Sequence, residues 1–532
     1  MSIPLRAKRF YHGMLISLLL ILCISLLWKP ILWLLVPLMA VFALGLFDVI
    51  QKRKAILRNF PVVGHFRYLF EMVRPEINQY FVESNLDGTP YNRERRSVAY
   101  QRAKKQMQTL PFGTQLDVYD VGYEWINHSL NPNSDPAPPP RIKIGGEKCS
   151  APNEASTLNI SAMSFGSLSK NAIYALNQGA ASGGFYHNTG EGSISRYHSE
   201  PGGDLCWQIG TGYFGCRQKN GRFDRKSFSD RSQIESVKLI ELKLSQGAKP
   251  GHGGILPAAK ITPEIAEIRG VPLGQDVLSP PGHSEFDTPK GLLEFVTKLR
   301  ELCGGKPVGI KLCIGNPVEF LSLCMAMKET ELFPDFISVD GGEGGTGAAP
   351  VEFSNSMGAP LTEGLVLAHN SLVGFGIRDK IKVIASGQII TGFDMVKRIA
   401  AGADLCNSAR GFMFALGCIQ ARSCNANDCP AGVATQDPDL VRGLVIPDKA
   451  TRVANFHEET VHAFMELLAA AGLDRPEQLT PHHIHRRVSQ TKVESYAKIY
   501  KFLQPGQLMD GEIPPIYSGW LEEASAENFV RK

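Results

Sequence analysis

The sequence lacks a concentration of charge of one sign. Its 532 residues include 56 Lys and Arg against 52 Asp and Glu, which leaves a formal net charge of +4. Proteins that bind nucleic acid usually carry a concentrated basic stripe, and so slight an excess gives no sign of one. We therefore predict no nucleic-acid partner.

Regular cysteine pairing is also missing. The 11 cysteines are not arranged like those of a small secreted disulfide scaffold, which predicts a reducing compartment for the soluble part. We see no internal repeat and no GxGxxG motif between a strand and a helix, because the glycines of residues 341–347 instead follow a predicted strand. The usual sequence signal of a dinucleotide site is therefore absent.

What the sequence does have is a tight cysteine loop at residues 417–436. It reads GCIQARSCNANDCPAGVATQ and holds Cys418, Cys424 and Cys429 in the pattern C-x5-C-x4-C. Thiolates are soft ligands that suit iron–sulfur clusters or zinc. Three of them fit a cluster that lacks one corner iron, or a zinc or four-iron site whose fourth ligand lies elsewhere. Three incidental cysteines are the plain alternative.

Two long apolar runs open the chain, at residues 11–28 and 31–47. Each is just long enough to span a bilayer with little tilt, and basic residues at both outer ends favour a helical hairpin with cytoplasmic termini. A signal peptide fits less well, because no small-residue cleavage site ends the first run; a packed soluble hairpin is a further alternative. We predict a membrane anchor over residues 1–54. The basic flanks are Arg6, Lys8, Arg9, Lys52, Arg53 and Lys54.

Residues 55–150 are predicted to form a membrane-proximal region and linker. Residues 58–80 fit a membrane-proximal helix, and the basic run at 92–105 fits either a contact with anionic lipid or a solvated face. The proline-rich stretch at 131–140 is typical of an extended connector.

From residue 151 to 475, short apolar runs alternate with helical stretches, which predicts a parallel α/β fold. Most of the runs end in Gly, Ser, Asp or charged residues. In a (β/α)8 TIM barrel the active site lies at these carboxyl ends of the strands. Residues 455–471 predict an amphipathic helix, and the tail 476–532 carries no motif. The eight strand candidates are 158–163, 183–187, 206–210, 238–243, 308–312, 336–340, 382–386 and 404–407.

Four further stretches accompany the cysteine loop: SAMSFGSLS (161–169), NTGEGS (188–193), ELKLSQGAKPGHGG (241–254) and DGGEGGTGA (340–348). Together and in this order they resemble the glutamate synthases. The resemblance implies a flavin and iron–sulfur enzyme that makes glutamate from 2-oxoglutarate. It also implies an FMN-binding barrel and a [3Fe-4S] cluster on the cysteine loop.

The carboxyl ends of the last two predicted strands form a candidate phosphate site. Ser386 and Gly387 end one strand, and Ser408, Ala409 and Arg410 end the other. Barrels bind phosphate after strands seven and eight, where small residues let backbone N–H groups approach the anion. Ordinary strand-to-helix turns look similar, but the pair predicts the FMN phosphate site.

Other strand ends would supply the contacts to the flavin ring: Ala162, Met163, Ser164, Gln208 and Lys311. In the resembling family a Met-Ser backbone and a barrel lysine lie against the isoalloxazine. A lysine near N1 and O2 stabilises the anionic reduced ring. We expect Lys311 to be catalytic, because an unpaired lysine inside an apolar strand is costly to bury. Met163 alone fits a core position as well.

The substrate end is predicted in the 241–254 motif and its neighbours. Lys243, Lys249 and Arg269 are the expected partners of the two carboxylates of 2-oxoglutarate, and we expect Lys243 and Glu191 to be catalytic. Arg269 in an exposed helix salt bridge is the alternative. One departure from the resembling family is His252, where that family often has Glu.

The expected reaction is reductive amination of 2-oxoglutarate. No amidotransferase domain is expected before residue 150, so ammonia would come from elsewhere, and electrons from a ferredoxin-like protein or a membrane partner. We expect the barrel on the cytoplasmic side of the inner (cell) membrane. The alternatives are a membrane-bound flavin oxidoreductase for another amino or keto acid, and a non-catalytic redox subunit.

Overall fold

The structure is a computed structural model that describes residues 5–106 and 109–529, with the backbone alone at 5–7. The chain divides into two compact units, Met1–Arg93 and Glu94–Lys532. Three predicted segments extend beyond the described residues: the anchor at residues 1–4 and at the side chain of Arg6, the linker at residues 107–108, and the tail at residues 530–532.

Two apolar helices open the first unit. α1 spans Leu5–Ser25 and α2 spans Leu35–Ile50, and a 3-10 helix at Lys29–Leu34, with proline in its first turn, joins them. The segments Lys8–Ser25 and Lys29–Ile50 are long and apolar enough to cross a membrane, judged by length and composition alone. The predicted pair of apolar helices is therefore present, and its insertion into a membrane stays a prediction.

The end of α2 holds the elements that follow it. α3 covers Ala55–Asn59 and α4 covers Gly64–Ile77. Asp48 is fully buried and accepts hydrogen bonds from the backbone N–H of Val62 at 2.8 Å and from Nε2 of His65 at 2.9 Å. These bonds fix the start of α4 to the end of α2.

Within its described residues, the second unit contains 15 strands and most of the helices. The strands are β1 Glu124–Ile126, β2 Ile142–Ile144, β3 Asn153–Ala155, β4 Leu158–Ile160, β5 His187–Asn188, β6 Leu205–Ile209, β7 Val237–Lys243, β8 Ile255–Leu256, β9 Val277–Leu278, β10 Val308–Leu312, β11 Phe336–Asp340, β12 Lys382–Ser386, β13 Leu405–Ser408, β14 Ile484–Arg487 and β15 Val493–Ser495.

Helices of varied length connect these strands. They are α5 Arg93–Ala103, α6 Lys170–Gly183, α7 Arg196–Ser199, α8 Arg225–Ser232, α9 Pro263–Arg269, α10 Pro289–Leu302, α11 Pro317–Thr330, α12 Val351–Ser356, α13 Leu361–Gly374, α14 Gly392–Ala400, α15 Arg410–Leu416, α16 Pro438–Val441, α17 Ile446–Ala470, α18 Tyr496–Tyr500, α19 Gln507–Asp510 and α20 Pro515–Glu523.

Eight parallel strands close into a barrel in the order β4, β5, β6, β7, β10, β11, β12, β13. The predicted (β/α)8 barrel is therefore confirmed, and each predicted strand overlaps one barrel strand. The second differs most, since it shares only His187 with the predicted 183–187. The reason is that α6 continues to Gly183 and ends with Gly184 in the left-handed region at φ 66°.

An apolar cluster closes the amino-terminal end of the barrel. The antiparallel hairpin of β2 and β3 contributes its inward side chains, and early residues of the barrel strands contribute the rest. Burying this apolar surface stabilises the closed sheet and leaves the carboxyl end as the open one. The cluster consists of Ile142, Ile144, Ala155, Tyr186, Cys206, Leu239, Phe336, Ile384 and Leu405.

The predicted amphipathic helix at 455–471 is the second half of α17, which begins nine residues earlier at Ile446. It packs against α6 and α14. A methyl group added at Gly179 of α6 would lie 2.5 Å from Cγ1 of Val453, so glycine permits the close crossing of the two helices.

The predicted linker and tail meet in one small sheet. β14 pairs antiparallel with both β1 and β15, which brings Glu124 opposite Arg486 in the register. Two segments that are separated by the whole barrel in sequence are therefore neighbours in the folded unit.

Candidate active site

The ends of three barrel strands meet around a pair of serines. The backbone N–H of Ser161, directly after β4, donates to the carbonyl of Ser408 at 2.9 Å. The hydroxyl of Ser161 lies 3.2 Å from that of Ser386 at the end of β12. The first, seventh and eighth strands of the barrel thus converge at the predicted cofactor end.

A buried carboxylate that the sequence analysis missed organises the barrel interior. Glu241 lies on β7 and accepts three hydrogen bonds, from the amides of Asn188 at 2.7 Å and Gln208 at 2.6 Å and from the hydroxyl of Ser338 at 2.6 Å. Charged and hydrogen-bonded groups of this kind hold one another in fixed geometry. The predicted flavin contact Gln208 is therefore held in place by Glu241.

Lys311 is buried, but it is not unpaired. Its ammonium lies 3.3 Å from Oδ1 of Asp340, the last residue of β11. Burial lowers the pKa of Lys311, but Asp340 and Glu241 act against it, and the net direction is upward. Lys311 therefore carries its charge at neutral pH, in register with Lys243 on the neighbouring strand.

Lys243 and Glu191 form an ion pair at the end of β7. The Nζ–Oε2 distance is 3.1 Å. A methyl group at Gly210 would lie 2.7 Å from Oε2 of Glu191, and one at Gly254 would overlap Oε1, so two glycines leave room for this carboxylate. Burial raises the pKa of Glu191, but the neighbouring cations, Lys243 first, lower it more, and the net pKa lies below its ordinary value.

Lys249 is buried, and among the described residues no carboxylate lies within hydrogen-bond distance of it. It is 2 % exposed, and its ammonium donates to the carbonyl of Ala348 at 2.8 Å. Burial lowers the pKa of Lys249 to about 8, with Glu191 acting upward and Lys243 downward.

Arg269 is also buried, at 4 % exposure. The predicted alternative of an exposed helix salt bridge is therefore wrong, because α9 turns this residue inward. Its Nη2 donates to the carbonyl of Phe165 at 3.0 Å and lies 3.4 Å from Oγ of Ser164, and its guanidinium stacks on Phe214 at 5.3 Å. Burial lowers its pKa to about 10, so the group stays charged.

The predicted contacts at 162–164 lie between these groups. Met163 is buried, with its N–H bonded to the carbonyl of Asn188 at 3.1 Å. Ser164 reaches Ser167 at 3.0 Å as well as Arg269. Ala162 precedes them in the same loop. The loop after β4 therefore joins the predicted flavin residues to the predicted substrate residues.

The candidate phosphate residues lie together at the ends of β12 and β13. Gly387 has φ 157°, which favours glycine at this turn. Ser408 donates its hydroxyl to the carbonyl of Ile389 at 2.7 Å, and Ala409 is the residue that precedes α15. Arg410 donates to the carbonyl of Glu343 at 2.7 Å, so its guanidinium also supports the loop after β11.

The cysteine loop is irregular, as predicted, with positive φ at Gln420 and Arg422. The three thiols are close enough to interact electrostatically. Burial first, and then Cys424 and Cys429, raise the pKa of Cys418 to about 12. Within residues 5–106 and 109–529, no group of three or more His, Cys, Asp or Glu side chains is arranged to hold a metal ion. The iron–sulfur cluster and the zinc alternative therefore both stay predictions.

The family model for the conserved region in glutamate synthase matches residues 122–474, which is more than half of the chain. The chain belongs to the glutamate synthase family.

Relatives within the glutamate synthase family differ in length. The chain is 37 % identical over 477 residues to the glutamate synthase large subunit-like protein YerD of Bacillus subtilis (strain 168), covering 82 % of this chain and 90 % of that one. It is 33 % identical over 319 residues to the archaeal-type glutamate synthase (NADPH) of Thermotoga neapolitana, covering 60 % of each. It spans only 20 % of the Bacillus subtilis glutamate synthase (NADPH) large chain, at 32 % identity.

The predicted glutamate synthase-like oxidoreductase is confirmed at the level of the family, and three residues of its candidate site were missed. Glu241 stands two residues before Lys243, on the same face of β7, so the argument applied to Lys311 would have found it. Asp340 is the first residue of the motif at residues 340–348, but no role was predicted for it. Lys260 is buried and donates to the carbonyl of Ser167 at 2.7 Å, near Cys424, and no local pattern marked it.

Proposed function

We propose that this glutamate synthase-like chain reductively aminates 2-oxoglutarate at the carboxyl end of its barrel, with ammonia from elsewhere. The observation that carries the proposal is an excess of buried positive charge. Lys243 pairs with Glu191, whereas the hydrogen bonds of Lys249 and Arg269 go to neutral oxygens. Within the described residues, neither of these two has a carboxylate at ion-pair distance. Lys243, Lys249 and Arg269 thus share the single negative charge of Glu191, and the excess positive charge matches a substrate with two carboxylates.

The chain's own residues would bind and orient the substrate. Arg269 offers a planar, bidentate donor to one carboxylate, and Lys249 offers a point charge to the other. Glu191 stays ionised and holds the ammonium of Lys243 in place at the end of β7. Because these groups are buried, their interactions with the substrate are stronger than they would be in water.

The residues present fit FMN in donor chemistry. The amide of Gln208 and the ammonium of Lys311 are the kinds of donor that the ring's N1 and O2 accept. Small residues at Gly387 and Ala409, beside Ser386 and Ser408, suit a phosphate after strands seven and eight. Bound FMN would supply hydride transfer.

The cysteine loop supplies three soft thiolate ligands from one short segment, which suits an iron–sulfur cluster. A cluster spreads its ligands over several irons. We infer that Cys418, Cys424 and Cys429 hold a [3Fe-4S] cluster, which would supply one-electron transfer from a ferredoxin-like or membrane donor.

The apolar helices α1 and α2 support a membrane anchor. The two candidate membrane-spanning segments expose almost all of their residues in the structure, with 0 % and 6 % of their residues buried. The basic residues Lys52, Arg53 and Lys54 follow α2. We propose an inner-membrane anchor with the barrel on the cytoplasmic side. In cell fractionation the protein is expected to resist high-salt and carbonate washing and to dissolve only in detergent. Recovery in the supernatant without detergent would refute the anchor.

An anaerobic turnover assay tests the reaction. The purified protein is expected to be yellow and to release about one FMN per chain on heating. An artificial electron donor should reduce the flavin, and 2-oxoglutarate with ammonia should reoxidise it and yield glutamate. A panel of monocarboxylic keto acids is the control. If reduced flavin persists with every keto acid, the synthase proposal is wrong. If a keto acid other than 2-oxoglutarate is preferred, the proposed substrate is wrong.

A further inference from the structure

The helix α4 and the π-helical turn at Asn78–Val82 that continues it expose an apolar, aromatic-rich face. Helical spacing places its members on one side of the axis, and the rings of Phe66 and Phe70 stack at 6.5 Å. Single exposed apolar residues are common on soluble proteins, but a continuous row marks an interaction surface. The row comprises Val63 (66 % exposed), Phe66 (57 %), Leu69 (46 %), Phe70 (63 %), Ile77 (44 %) and Phe81 (85 %).

α4 also carries several charged residues, so the helix does not qualify as a membrane span. Arg67 pairs with Glu71 at 2.8 Å across one helical turn, and Arg74 lies one turn further on. Among the described residues, the windows apolar enough to cross a membrane are those of α1 and α2 alone. An aromatic row bordered by charged residues is typical of a helix that lies in the plane of a membrane surface.

The fold of the first unit ties α4 to the proposed anchor. Asp48, at the end of α2, bonds both Val62 and His65, so α4 starts where the second apolar helix ends. The ammonium of Lys54 lies over the ring of Tyr68 at 4.3 Å. That contact puts Tyr68 on the side facing the basic segment, away from the apolar row.

From this arrangement we propose that α4 and its π-helical turn lie in the bilayer interface, with the row from Val63 to Phe81 inserted at the level of the lipid headgroups and upper acyl chains. The occupant is the lipid bilayer, because the row continues from an element proposed to span it and basic residues border it. The inference rests on the proposed anchor. It adds a second, sideways contact that sets the depth of the first unit in the membrane.

Site-specific photo-crosslinking in the full-length protein tests the inference. p-Benzoylphenylalanine would replace Phe70 in one variant and Tyr68 in a matched control on the same helix, and each protein would be reconstituted into vesicles of phosphatidylcholine and phosphatidylglycerol in equal parts. The photoprobe keeps both positions aromatic, and it enlarges the side chain by the same benzoyl group at each. Lipid adducts are expected to be at least about fivefold more abundant at position 70 than at position 68. A third variant at Phe81 should behave like the one at Phe70.

The outcomes separate this inference from the anchor. A carbonate wash precedes irradiation, and chain lost in that wash refutes the anchor and this inference together. If the chain stays in the vesicles but positions 70 and 81 yield no more lipid adduct than position 68, the surface helix alone is wrong. Adducts that join position 70 to protein would also refute it, since they would show that a protein covers the row.

Discussion

At the scale of single residues, the candidate site is defined by how its charges are paired. Lys311 pairs with Asp340 and Lys243 pairs with Glu191, whereas the ammonium of Lys249 donates to a carbonyl oxygen. A buried cation without a counter-ion is costly in the absence of ligand, and a carboxylate ligand removes that cost. Lys249 is therefore the residue whose replacement should report most directly on substrate binding.

Lys249→Met is expected to lower kcat/KM for 2-oxoglutarate by roughly 10- to 100-fold at pH 7, since a hydrogen bond to a charged group contributes about 1.5–3 kcal/mol. Because burial lowers the pKa of Lys249 to about 8, its ammonium is present below that pH and lost above it. The wild-type kcat/KM should therefore fall as pH rises past 8, and this limb should disappear in the variant. Lys238→Met, at the second residue of β7 and far from its carboxyl end, is the control. A limb near pH 8 that survives in Lys249→Met would contradict the assignment.

Gly254→Ala tests the space around Glu191. The added methyl would overlap Oε1 of Glu191, so the carboxylate must move and its ion pair with Lys243 must lengthen. We expect kcat/KM to fall by roughly tenfold or more, as misplacement of a positioned group does, while the FMN content is unchanged. Gly282→Ala, where a methyl meets nothing within 4 Å, is the matched control. Equal activity in both variants would show that the glycine does not position Glu191.

At the scale of elements, the crossing of α6 and α17 holds one side of the barrel. The helices touch at Gly179, where an added methyl lies 2.5 Å from Val453 and 2.7 Å from the carbonyl of Ala450. α17 also places His457 against Ser156 at 2.9 Å and the carbonyl of Leu158 at 3.0 Å. The first barrel strand therefore depends on this helix for its position.

Gly179→Ala is expected to lower the free energy of unfolding by about 1–3 kcal/mol, the usual cost of overpacking a close contact. Alanine favours a helix over glycine, so a loss of stability here identifies the crossing as its cause. Unfolding by urea in detergent, followed by circular dichroism, measures it. Gly519→Ala in α20, with nothing within 4 Å of the added methyl, should be neutral or stabilising. A stabilised Gly179→Ala would mean that the helices separate at little cost.

At the scale of the whole molecule, the proposed flavin and cluster sites belong to different segments. The flavin residues lie at the ends of barrel strands, whereas the three cysteines lie in the loop that follows α15. Cys424→Ser should therefore lose the cluster and keep the flavin, with iron reduced by roughly tenfold or more. Iron analysis and EPR of anaerobic protein, with flavin absorbance, measure both. Cys149→Ser, far along the chain, should keep its iron, and unchanged iron in Cys424→Ser would refute the ligand assignment.

Much of the fold follows from local sequence. Short apolar runs that end in glycine, serine or charge predicted all eight barrel strands, because a strand buried on both faces needs a continuous apolar run. The motifs that resemble the family lie at strand ends, where the chain order of a barrel brings them to one rim. The spacing of the three cysteines at residues 417–436 likewise predicted a set of soft ligands from local sequence.

Tertiary structure supplied what depends on residues distant in sequence. The ion-pair partner of Lys311 is Asp340, and the hydrogen-bond donors to Glu241 come from three other strands. The space that the Glu191 carboxylate occupies is left open by Gly210 and Gly254. Closure of the barrel brings these groups together, and no local period encodes which of them meet. Likewise, the pairing of β1 with β14 is set by the packing of segments more than 350 residues apart, because a strand's apolar pattern fixes which face is buried but not which strand lies beside it.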